Sequence, residues 1–261
     1  MKSLAILCQK GGVGKTTLVV NIAKIYSKND IKTLIIDLDP QGNTSTYLDF
    51  DKNNENILTS QDLLLGKTEK EIGFLEENLG IIPSNETILK FNNEKIVGGS
   101  ILQQKLKSFP FSNFDIVIID TPPTMSSLVQ EAISASDFYL IPTKPEFLAI
   151  EGVSQAMKFA KETISRQINT SPIFLGVVLN QVDITRSSYI DFEKELEYLL
   201  ADKLINSKIS NSAEVADSPF YLKTVDEFDE HSKSKKEFYK LAKELLERMA
   251  LNEKIIEQSY N

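Results

Sequence analysis

Short apolar runs alternate with stretches of helical periodicity along most of the chain. The runs are continuous rather than alternating between apolar and polar positions, a pattern typical of parallel strands covered on both faces. The predicted strands are Leu4–Cys8, Thr33–Ile36, Leu79–Pro83, Phe114–Ile119, Phe138–Pro142, Ile173–Leu179 and Leu204–Ile209. The predicted helices are Thr17–Ser27, Gln61–Leu65, Ile101–Phe109, Ser126–Ala135, Ala149–Ile168, Ser188–Leu200 and Lys235–Met249. The pattern predicts an α/β fold with a doubly wound, mostly parallel sheet flanked by helices.

Composition is that of an ordinary globular protein. The chain has 261 residues, 41% of them hydrophobic and 25% charged, and without a linker or repeat we expect residues 1–261 to form one domain. The lone Cys8 excludes an internal disulfide and a CxxC metal site. A net charge of −8 argues against a broadly basic nucleic-acid binder but not against a local basic patch. No apolar stretch is long enough to span a bilayer and a strand begins almost at once, so a cytoplasmic protein without stable membrane association is expected.

A glycine-rich loop follows the first predicted strand. Residues 9–17 read Gln-Lys-Gly-Gly-Val-Gly-Lys-Thr-Thr and lead into the first predicted helix. Glycines let the backbone turn its N–H groups towards an anion, and the helix N-terminus adds free N–H groups and the positive end of the helix dipole. Lys15 has the reach for terminal phosphate oxygens, and the Thr16 hydroxyl is a ligand for Mg²⁺. The loop predicts a site for a nucleoside triphosphate with Mg²⁺, lined by Gly11, Gly12, Val13, Gly14, Lys15, Thr16 and Thr17.

Acidic residues follow two other predicted strands. Asp120 ends the clearest apolar run, where a carboxylate suits a Mg²⁺ held through water. Asp37 and Asp39 follow the second strand, and their two-residue spacing places them on the same side. One of these two acids can approach the metal shell while the other orients an attacking water. Because the carboxyl ends of parallel strands share one edge of a sheet, we expect the acids and the loop to converge there.

Asn180 and Lys10 add to the candidate site. Asn180 follows the strand Ile173–Leu179. Its amide can both donate and accept hydrogen bonds, which suits the edge of a purine base. Because the Asn-x-x-Asp spacing to Asp183 resembles a guanine-reading motif, the sequence does not decide between ATP and GTP. Lys10 stands at the loop entrance, although Lys15 already supplies a cation. A second lysine has no obvious phosphate within its own subunit. One interpretation is that Lys10 serves the nucleotide of a second copy, as an arginine finger does in trans; the alternative is a solvated surface lysine.

These motifs together resemble the ParA/Soj type of partition ATPase, whose superfamily has a deviant Walker A motif, Lys-Gly-Gly-x-Gly-Lys-Thr. Gln9 stands where the usual phosphate loop has its first glycine, and Lys10 follows it. The segments that carry the resemblance are Lys10–Thr17, Asp37–Asn43, Asp115–Pro123, Pro145–Gly152, Asn180–Arg186 and Glu214–Pro219. The resemblance implies a P-loop NTPase fold and a slow, partner-stimulated and Mg²⁺-dependent hydrolysis of ATP to ADP and phosphate.

The resemblance also implies roles for individual residues. Catalytic roles would fall to Lys10, Lys15 and Asp39, with Lys10 crossing the interface of an ATP-bound homodimer. The metal would lie among Thr16, Asp37 and Asp120. Nucleotide contacts would come from the loop residues Lys10 to Thr17 together with Asp120, Asn180 and Pro219.

DNA and a second protein are the implied partners. The ATP-bound dimer would bind duplex DNA non-specifically at the nucleoid, and a ParB-like protein would stimulate hydrolysis and release it. Arg186 matches a DNA-contacting arginine of the family, whereas Asn211 and Glu214 stand where arginines are common. The other candidates for phosphate contacts are lysines near the start of the last predicted helix: Lys233, Lys235, Lys236 and Lys240.

Other functions occur on the same fold. A MinD-like ATPase that positions itself on a membrane needs a basic amphipathic C-terminal anchor, and the tail Leu251–Asn261 carries Glu253 and Glu257 without a basic face. A relative that positions a protein array or an organelle stays open as an alternative. A nitrogenase-iron-protein relative would need paired cysteines, and Cys8 is alone. Partition of a plasmid or chromosome is the preferred hypothesis.

Overall fold

The computed structural model describes residues 1–67, 69–93, 100–108, 110–146, 148–166 and 172–250. Within these ranges one sheet contains the strands β1 (Lys2–Ile6), β2 (Thr33–Asp37), β3 (Gly73–Glu76), β4 (Leu79–Ile82), β5 (Ile116–Asp120), β6 (Phe138–Thr143) and β7 (Ile173–Leu179). The helices are α1 (Lys15–Lys28), α2 (Asn43–Tyr47), α3 (Ser60–Leu64), α4 (Ile101–Leu106), α5 (Ser127–Ala135), α6 (Ala149–Ser165), α7 (Ser187–Leu200), α8 (Ala213–Asp217), α9 (Val225–Phe228) and α10 (Lys233–Arg248). Short 3₁₀ segments occupy Glu86–Asn93, Phe111–Asn113, Ala201–Lys203 and Ser218–Tyr221. No helix in the described ranges is long and apolar enough to cross a bilayer.

The sheet is parallel except at one edge. Its strand order is β3-β4-β2-β5-β1-β6-β7, and β3 runs antiparallel to β4. This order places β1 in the interior, between β5 and β6. Parallel neighbours need crossover connections, and the helices in those connections cover both faces. The predicted doubly wound α/β fold is confirmed.

Alternate residues of the central strands feed two separate apolar cores. Leu4 and Ile6 pack on the face that holds α1 and α10, whereas Ala5 and Leu7 pack on the face that holds α4, α5 and α6. Every residue of β2 and β5 is buried. A strand with both faces covered has no polar side, so its sequence reads as one continuous apolar run.

Two predicted helices, α1 and α10, begin two residues earlier than expected. The first helix, α1, starts at Lys15 rather than Thr17. The last helix, α10, starts at Lys233 rather than Lys235 because the Ser232 hydroxyl caps it by accepting the N–H of Lys235 at 3.0 Å. The predicted helix ends at Phe109 and Ile168 and the tail 251–261 lie outside the described residues.

The predicted strand Leu204–Ile209 is wrong. The segment follows β7 only through an isolated bridge at Leu204 and single backbone hydrogen bonds at Ile205 and Ile209. Between them, the N–H groups of Asn206 and Ser207 donate to the Glu244 carboxylate at 2.9 and 2.8 Å. A side chain from α10 thus takes the donors that a strand would offer to the sheet.

The sequence pattern did not predict the short helices α2, α8 and α9 or the edge strand β3. Residues Gln41–Thr46 were expected to form a polar loop, but α2 begins at Asn43, directly after Gly42 with φ of 61°. The antiparallel strand β3 has exposed residues at an edge of the sheet, so it lacks the continuous apolar run that marks the other strands.

Three adjacent strands end at the same level, which sets the position of the site. Ile6 of β1 and Asp37 of β2 are both register partners of Asp120 in β5. The loops after β1, β2 and β5 therefore leave the sheet side by side, as the rule for parallel sheets predicts.

Candidate functional site

The glycine-rich loop turns directly from β1 into α1. Gly12 and Gly14 have φ of 71° and 85°, in the left-handed region that other residues rarely adopt. A Cβ atom at Gly14 would also lie 2.3 Å from Nδ2 of Asn180. Lys15 begins α1 and is only 7% exposed, unlike a solvated surface lysine. The free N–H groups of the first helical turn and a buried cation make this loop suited to an anion.

Two side chains from the end of β7 support the loop. Asn180 donates its amide N–H to the carbonyl of Val13 at 2.7 Å, and Gln181 donates to the carbonyl of Gly12 at 3.1 Å. The Asn180 amide oxygen accepts the N–H of Gln181 at 3.0 Å. Both ends of the Asn180 amide are thus engaged within the protein, and its predicted contact with a nucleobase stays a prediction. The Asn-x-x-Asp spacing did not mark Gln181 as a support for the loop.

Asp37 and Asp120 form a buried acidic pair beside the loop. Asp120 Oδ2 accepts hydrogen bonds from the hydroxyls of Thr16 at 2.7 Å and Thr44 at 2.9 Å. Asp37 Oδ1 accepts the N–H of Asp39 at 2.8 Å. The other oxygens, Asp37 Oδ2 and Asp120 Oδ1, are buried and have no hydrogen-bond partner among the described residues. Each carboxylate therefore keeps one oxygen for a further ligand.

The electrostatics of this pair fit a cation. Burial raises the pKa of both carboxyl groups, and the charge of Asp120 raises that of Asp37 further. Two neighbouring buried carboxylates cannot both be charged at low cost without a positive partner. Mg²⁺ binds through one or two carboxylates and takes its other oxygens from phosphate and water. Within the described ranges no three His, Cys, Asp or Glu side chains form a metal cluster.

Asp39 and Thr44 lie on the turn that leaves β2. Asp39 is 9% exposed, and its Oδ1 accepts the N–H of Gln41 at 3.0 Å. Its carbonyl accepts the N–H of Gly42 at 2.9 Å, which closes the turn before α2. Thr44 then brings its hydroxyl back to Asp120. Thr44 was not predicted because its segment reads as a loop; the polar run directly after Asp-x-Asp-Pro is the sequence signal that marks it.

Lys10 is bound by a residue from another loop. Its Nζ lies 2.5 Å from Oε2 of Glu146, and the two side chains are 52% and 41% exposed. The hydrogen bond from Lys10 lowers the pKa of the Glu146 carboxyl. A cavity of 170 Å³ opens beside Glu146 and is also lined by Lys144, Gln181 and Arg186. Lys10 therefore lies at the surface, in contrast to the buried Lys15.

The predicted DNA contacts lie outside the nucleotide site. Arg186 is exposed and pairs with Asp183 at 3.3 Å. On α10, Lys233 meets Glu237 at 3.2 Å, and Lys235 lies with its Nζ 5.8 Å from the centre of the Tyr239 ring. The exposed lysines of α10 recur every three or four residues and share one helical face: Lys233, Lys236, Lys240 and Lys243. The structure brings these lysines together but leaves Arg186 on a separate element.

Pro219 lies in the 3₁₀ segment Ser218–Tyr221. The hydroxyl of the preceding Ser218 lies 2.8 Å from the hydroxyl of Tyr47 in α2. The segment is therefore attached to the same short helix that contacts Asp120 through Thr44. Neither Tyr47 nor Ser218 was selected from the sequence.

The fold, the phosphate loop between β1 and α1 and the acidic strand ends define a P-loop nucleoside triphosphatase. A family model described as an AAA domain matches residues 1–173. The chain is 31% identical to the virulence plasmid ParA family protein pGP5-D of Chlamydia psittaci, over 99% of this chain and 100% of the relative. It is 28% identical to the sporulation initiation inhibitor protein Soj of Bacillus subtilis, over 94% of this chain and 98% of the relative. The chain belongs to the ParA/Soj family of partition ATPases.

Solved structures share the fold. A Borrelia burgdorferi B31 protein assigned to plasmid partition and bound to AMPPNP superposes with a TM-score of 0.80 at 22% identity. The match covers 95% of this chain and 99% of that protein. At this identity the likeness concerns the fold alone. The resemblance seen in the sequence is confirmed at the level of family and fold.

Proposed function

We propose that this partition ATPase is an ATP-dependent dimerising switch that serves a plasmid or a chromosome. The observation that carries the proposal is the contrast between its two loop lysines. Lys15 is buried at the start of α1, whereas the half-exposed Lys10 is held by Glu146 at 2.5 Å. One lysine suffices for the phosphates of its own subunit, so Lys10 is available to the nucleotide of a second copy. In this proposal residues 1–261 form a single nucleotide-binding domain.

The nucleotide lies along the phosphate loop. Backbone N–H groups from Gly11 to Thr17 surround the phosphates, and Lys15 contacts their terminal oxygens. The structural neighbour bound to AMPPNP shows that this fold can hold an ATP analogue. Asn180 and Pro219 contact the nucleobase of the bound ATP. ATP is preferred over GTP because no lysine follows Asn180 in the guanine-reading position, where Gln181 stands.

Thr16, Asp37 and Asp120 would hold the metal ion. The two orphaned carboxylate oxygens support this placement, and the Thr16 hydroxyl already adjoins Asp120 at 2.7 Å. Bound there, Mg²⁺ neutralises charge on the phosphate oxygens. The protein contributes by keeping the carboxylates of Asp37 and Asp120 buried and next to each other before the nucleotide binds.

Hydrolysis depends on position and charge. Asp39, at the mouth of the site, orients the attacking water, while Lys15 and a partner's Lys10 stabilise the charge that develops on the phosphate. A monomer lacks the second lysine, so its turnover is slow. Dimer formation, Mg²⁺ and a ParB-like protein accelerate it.

The ATP-bound dimer holds duplex DNA through its exposed basic side chains. Lys236 and Lys240 lie on the exposed face of α10, and Arg186 lies after β7. Contacts of this kind bind the phosphate backbone without reading sequence, and salt weakens them strongly. In this proposal the ATP-bound protein associates with the nucleoid.

Three alanine variants test the nucleotide switch. Lys15→Ala should abolish ATP binding. Asp39→Ala should bind ATP and dimerise but hydrolyse it at least about 100-fold more slowly, the usual contribution of a positioned base. Lys10→Ala should bind ATP as a monomer. Light scattering, ATP titration and phosphate release measure these outcomes, and normal hydrolysis by Asp39→Ala would remove its assigned role.

A charge-matched pair of variants tests DNA binding. Lys236→Ala/Lys240→Ala should lower the affinity of the ATP-bound protein for duplex DNA about tenfold. The slope of log K against log salt concentration should fall by about two, because about two phosphate contacts are lost. The control Lys158→Ala/Lys161→Ala removes the same charge from the exposed face of α6. Equal losses in both variants would mean that net charge alone controls binding, and absence of binding by the unaltered protein at low salt would exclude DNA as the partner.

A further inference from the structure

A buried hydrogen-bond network joins three elements beside the site. Asn21 of α1 donates to the Thr17 carbonyl at 2.8 Å and to the hydroxyl of Tyr47 in α2 at 3.2 Å. Its amide oxygen accepts the N–H of Val225 at 2.8 Å. Asn21 is 2% exposed, so these bonds are protected from water. One side chain thus ties α1, α2 and the start of α9 together.

Tyr47 extends this network to the segment that carries Pro219. Its hydroxyl lies 2.8 Å from that of Ser218, which is fully buried. Because Tyr47 accepts from Asn21, its own proton is free to donate to Ser218. Burial raises the pKa of the Tyr47 hydroxyl, which keeps that proton in place at neutral pH. The bond fixes the residue directly before Pro219.

The same helix also contacts the metal end of the site. Thr44, one turn before Tyr47 in α2, donates to Asp120 at 2.9 Å. The helix has five residues, Asn43–Tyr47, and follows Gly42, which closes the turn after Asp39. At about 1.5 Å of rise per residue, Thr44 and Tyr47 lie about 5 Å apart along the helix axis. The helix therefore acts as a strut between Asp120 and Ser218.

We propose that Tyr47 is a positioning residue for the nucleobase. Through Ser218 it holds the segment 218–221 at a set distance from the acidic pair, so that base and phosphates are bound in one geometry. Pro219 is then a base contact only while the Tyr47–Ser218 bond holds. This inference rests on the proposed ATP site and adds the element that selects for a complete nucleotide.

Tyr26 supplies a matched control. It is a fully buried tyrosine whose hydroxyl donates to the Ala242 carbonyl at 2.9 Å, between the far end of α1 and α10. Removal of its hydroxyl also breaks one buried hydrogen bond, but away from the nucleotide site. A purely structural role of Tyr47 would make the two tyrosines behave alike.

Titration calorimetry with MgATP and with magnesium tripolyphosphate separates the base from the phosphates. In Tyr47→Phe the Kd for ATP should rise about five- to tenfold, the usual effect of one net hydrogen bond, while the Kd for tripolyphosphate should change less than about twofold. The KM for ATP should rise with it, and kcat should stay within about twofold because the phosphate end is intact. Tyr26→Phe should shift neither ligand.

Ser218→Ala sharpens the assignment. It should reproduce the effect of Tyr47→Phe, and the double variant should be no weaker than either single one, since both remove the same bond. Equal weakening of ATP and tripolyphosphate, an effect matched by Tyr26→Phe, or an unchanged ATP affinity in Tyr47→Phe would overturn the inference while leaving the ATP site in place. If the unaltered protein does not bind ATP more tightly than tripolyphosphate, the proposed function and this inference both fail.

Discussion

Buried carboxylates among the described residues use their oxygens in different ways. Glu131 of α5 is fully buried and accepts the Ser100 hydroxyl at 2.8 Å and the N–H of Leu102 at 3.0 Å. These bonds cap the start of α4. Asp37 and Asp120 are equally buried, but each has an oxygen without a partner among the described residues.

The difference separates a structural carboxylate from a ligand-binding one. Burial raises the pKa of Glu131, Asp37 and Asp120 alike, so a shifted pKa does not tell them apart. What distinguishes them is the source of their hydrogen bonds. Backbone and side-chain donors satisfy Glu131 within the protein, whereas an unpartnered buried oxygen costs free energy until a ligand supplies the missing contact.

The largest expected effect is on catalysis at the unsatisfied pair. Asp120→Asn should lower kcat about 100-fold or more because it weakens the metal site at the phosphates. It should lower the free energy of unfolding by no more than about 1 kcal/mol, since the two hydroxyl contacts can be kept by an amide oxygen. Phosphate release and urea unfolding measure the two quantities. Retained activity would place the metal elsewhere.

At Glu131 the expectation is reversed. Glu131→Ala should lower the free energy of unfolding by about 2–3 kcal/mol, because the Ser100 hydroxyl and the Leu102 N–H lose a buried acceptor. The kcat of the folded protein should change less than about twofold. Glu131→Gln, which keeps one acceptor, should lose about half as much stability. A large loss of kcat with intact stability would mean that Glu131 belongs to the active site.

Asp37→Asn should stabilise the protein in the absence of nucleotide and metal. The folded-state pKa of Asp37 lies well above its ordinary value of 3.8, so the folded state binds more protons and stability falls as pH rises between those two values. The substitution removes the cost of keeping a charged carboxylate buried at position 37 and should raise the free energy of unfolding at pH 7 by about 1 kcal/mol. Urea unfolding from pH 4 to pH 8 should show a flatter profile than the unaltered protein. A loss of stability across this range would contradict the interpretation.

The smallest effect is expected at an exposed carboxylate. Glu146 pairs with Lys10 at 2.5 Å, but both side chains are well exposed, and exposed ion pairs contribute little. Glu146→Gln should change the free energy of unfolding by less than about 0.5 kcal/mol. Urea unfolding at low and high salt measures this difference. A change above about 1 kcal/mol would show that the pair contributes as a buried one does.

Sequence patterns predicted the parts of the site that depend on neighbouring residues. The phosphate loop needs glycines in left-handed conformations, a lysine and a threonine in one short stretch, and such a requirement is local. Thr44 and Tyr47 were missed because their short helix follows a glycine and has no apolar periodicity to mark it. The predicted strand at Leu204–Ile209 failed for the opposite reason, since its apolar residues suit a strand but Glu244 takes two of its N–H groups.

By itself, the sequence determined the α/β fold class, the succession of central strands and helices along the chain, and the identity of the phosphate loop. Burial on both faces and a tight anion-binding turn restrict the residue types in those segments. Only the tertiary structure decided which oxygens stay unsatisfied. That outcome depends on the register that sets Asp37 beside Asp120 and on donors such as Thr44, far apart in the chain. Hydrogen bonds between distant residues leave no periodic trace in a sequence, so the strut of α2 between Asp120 and Ser218 became visible only in the folded protein.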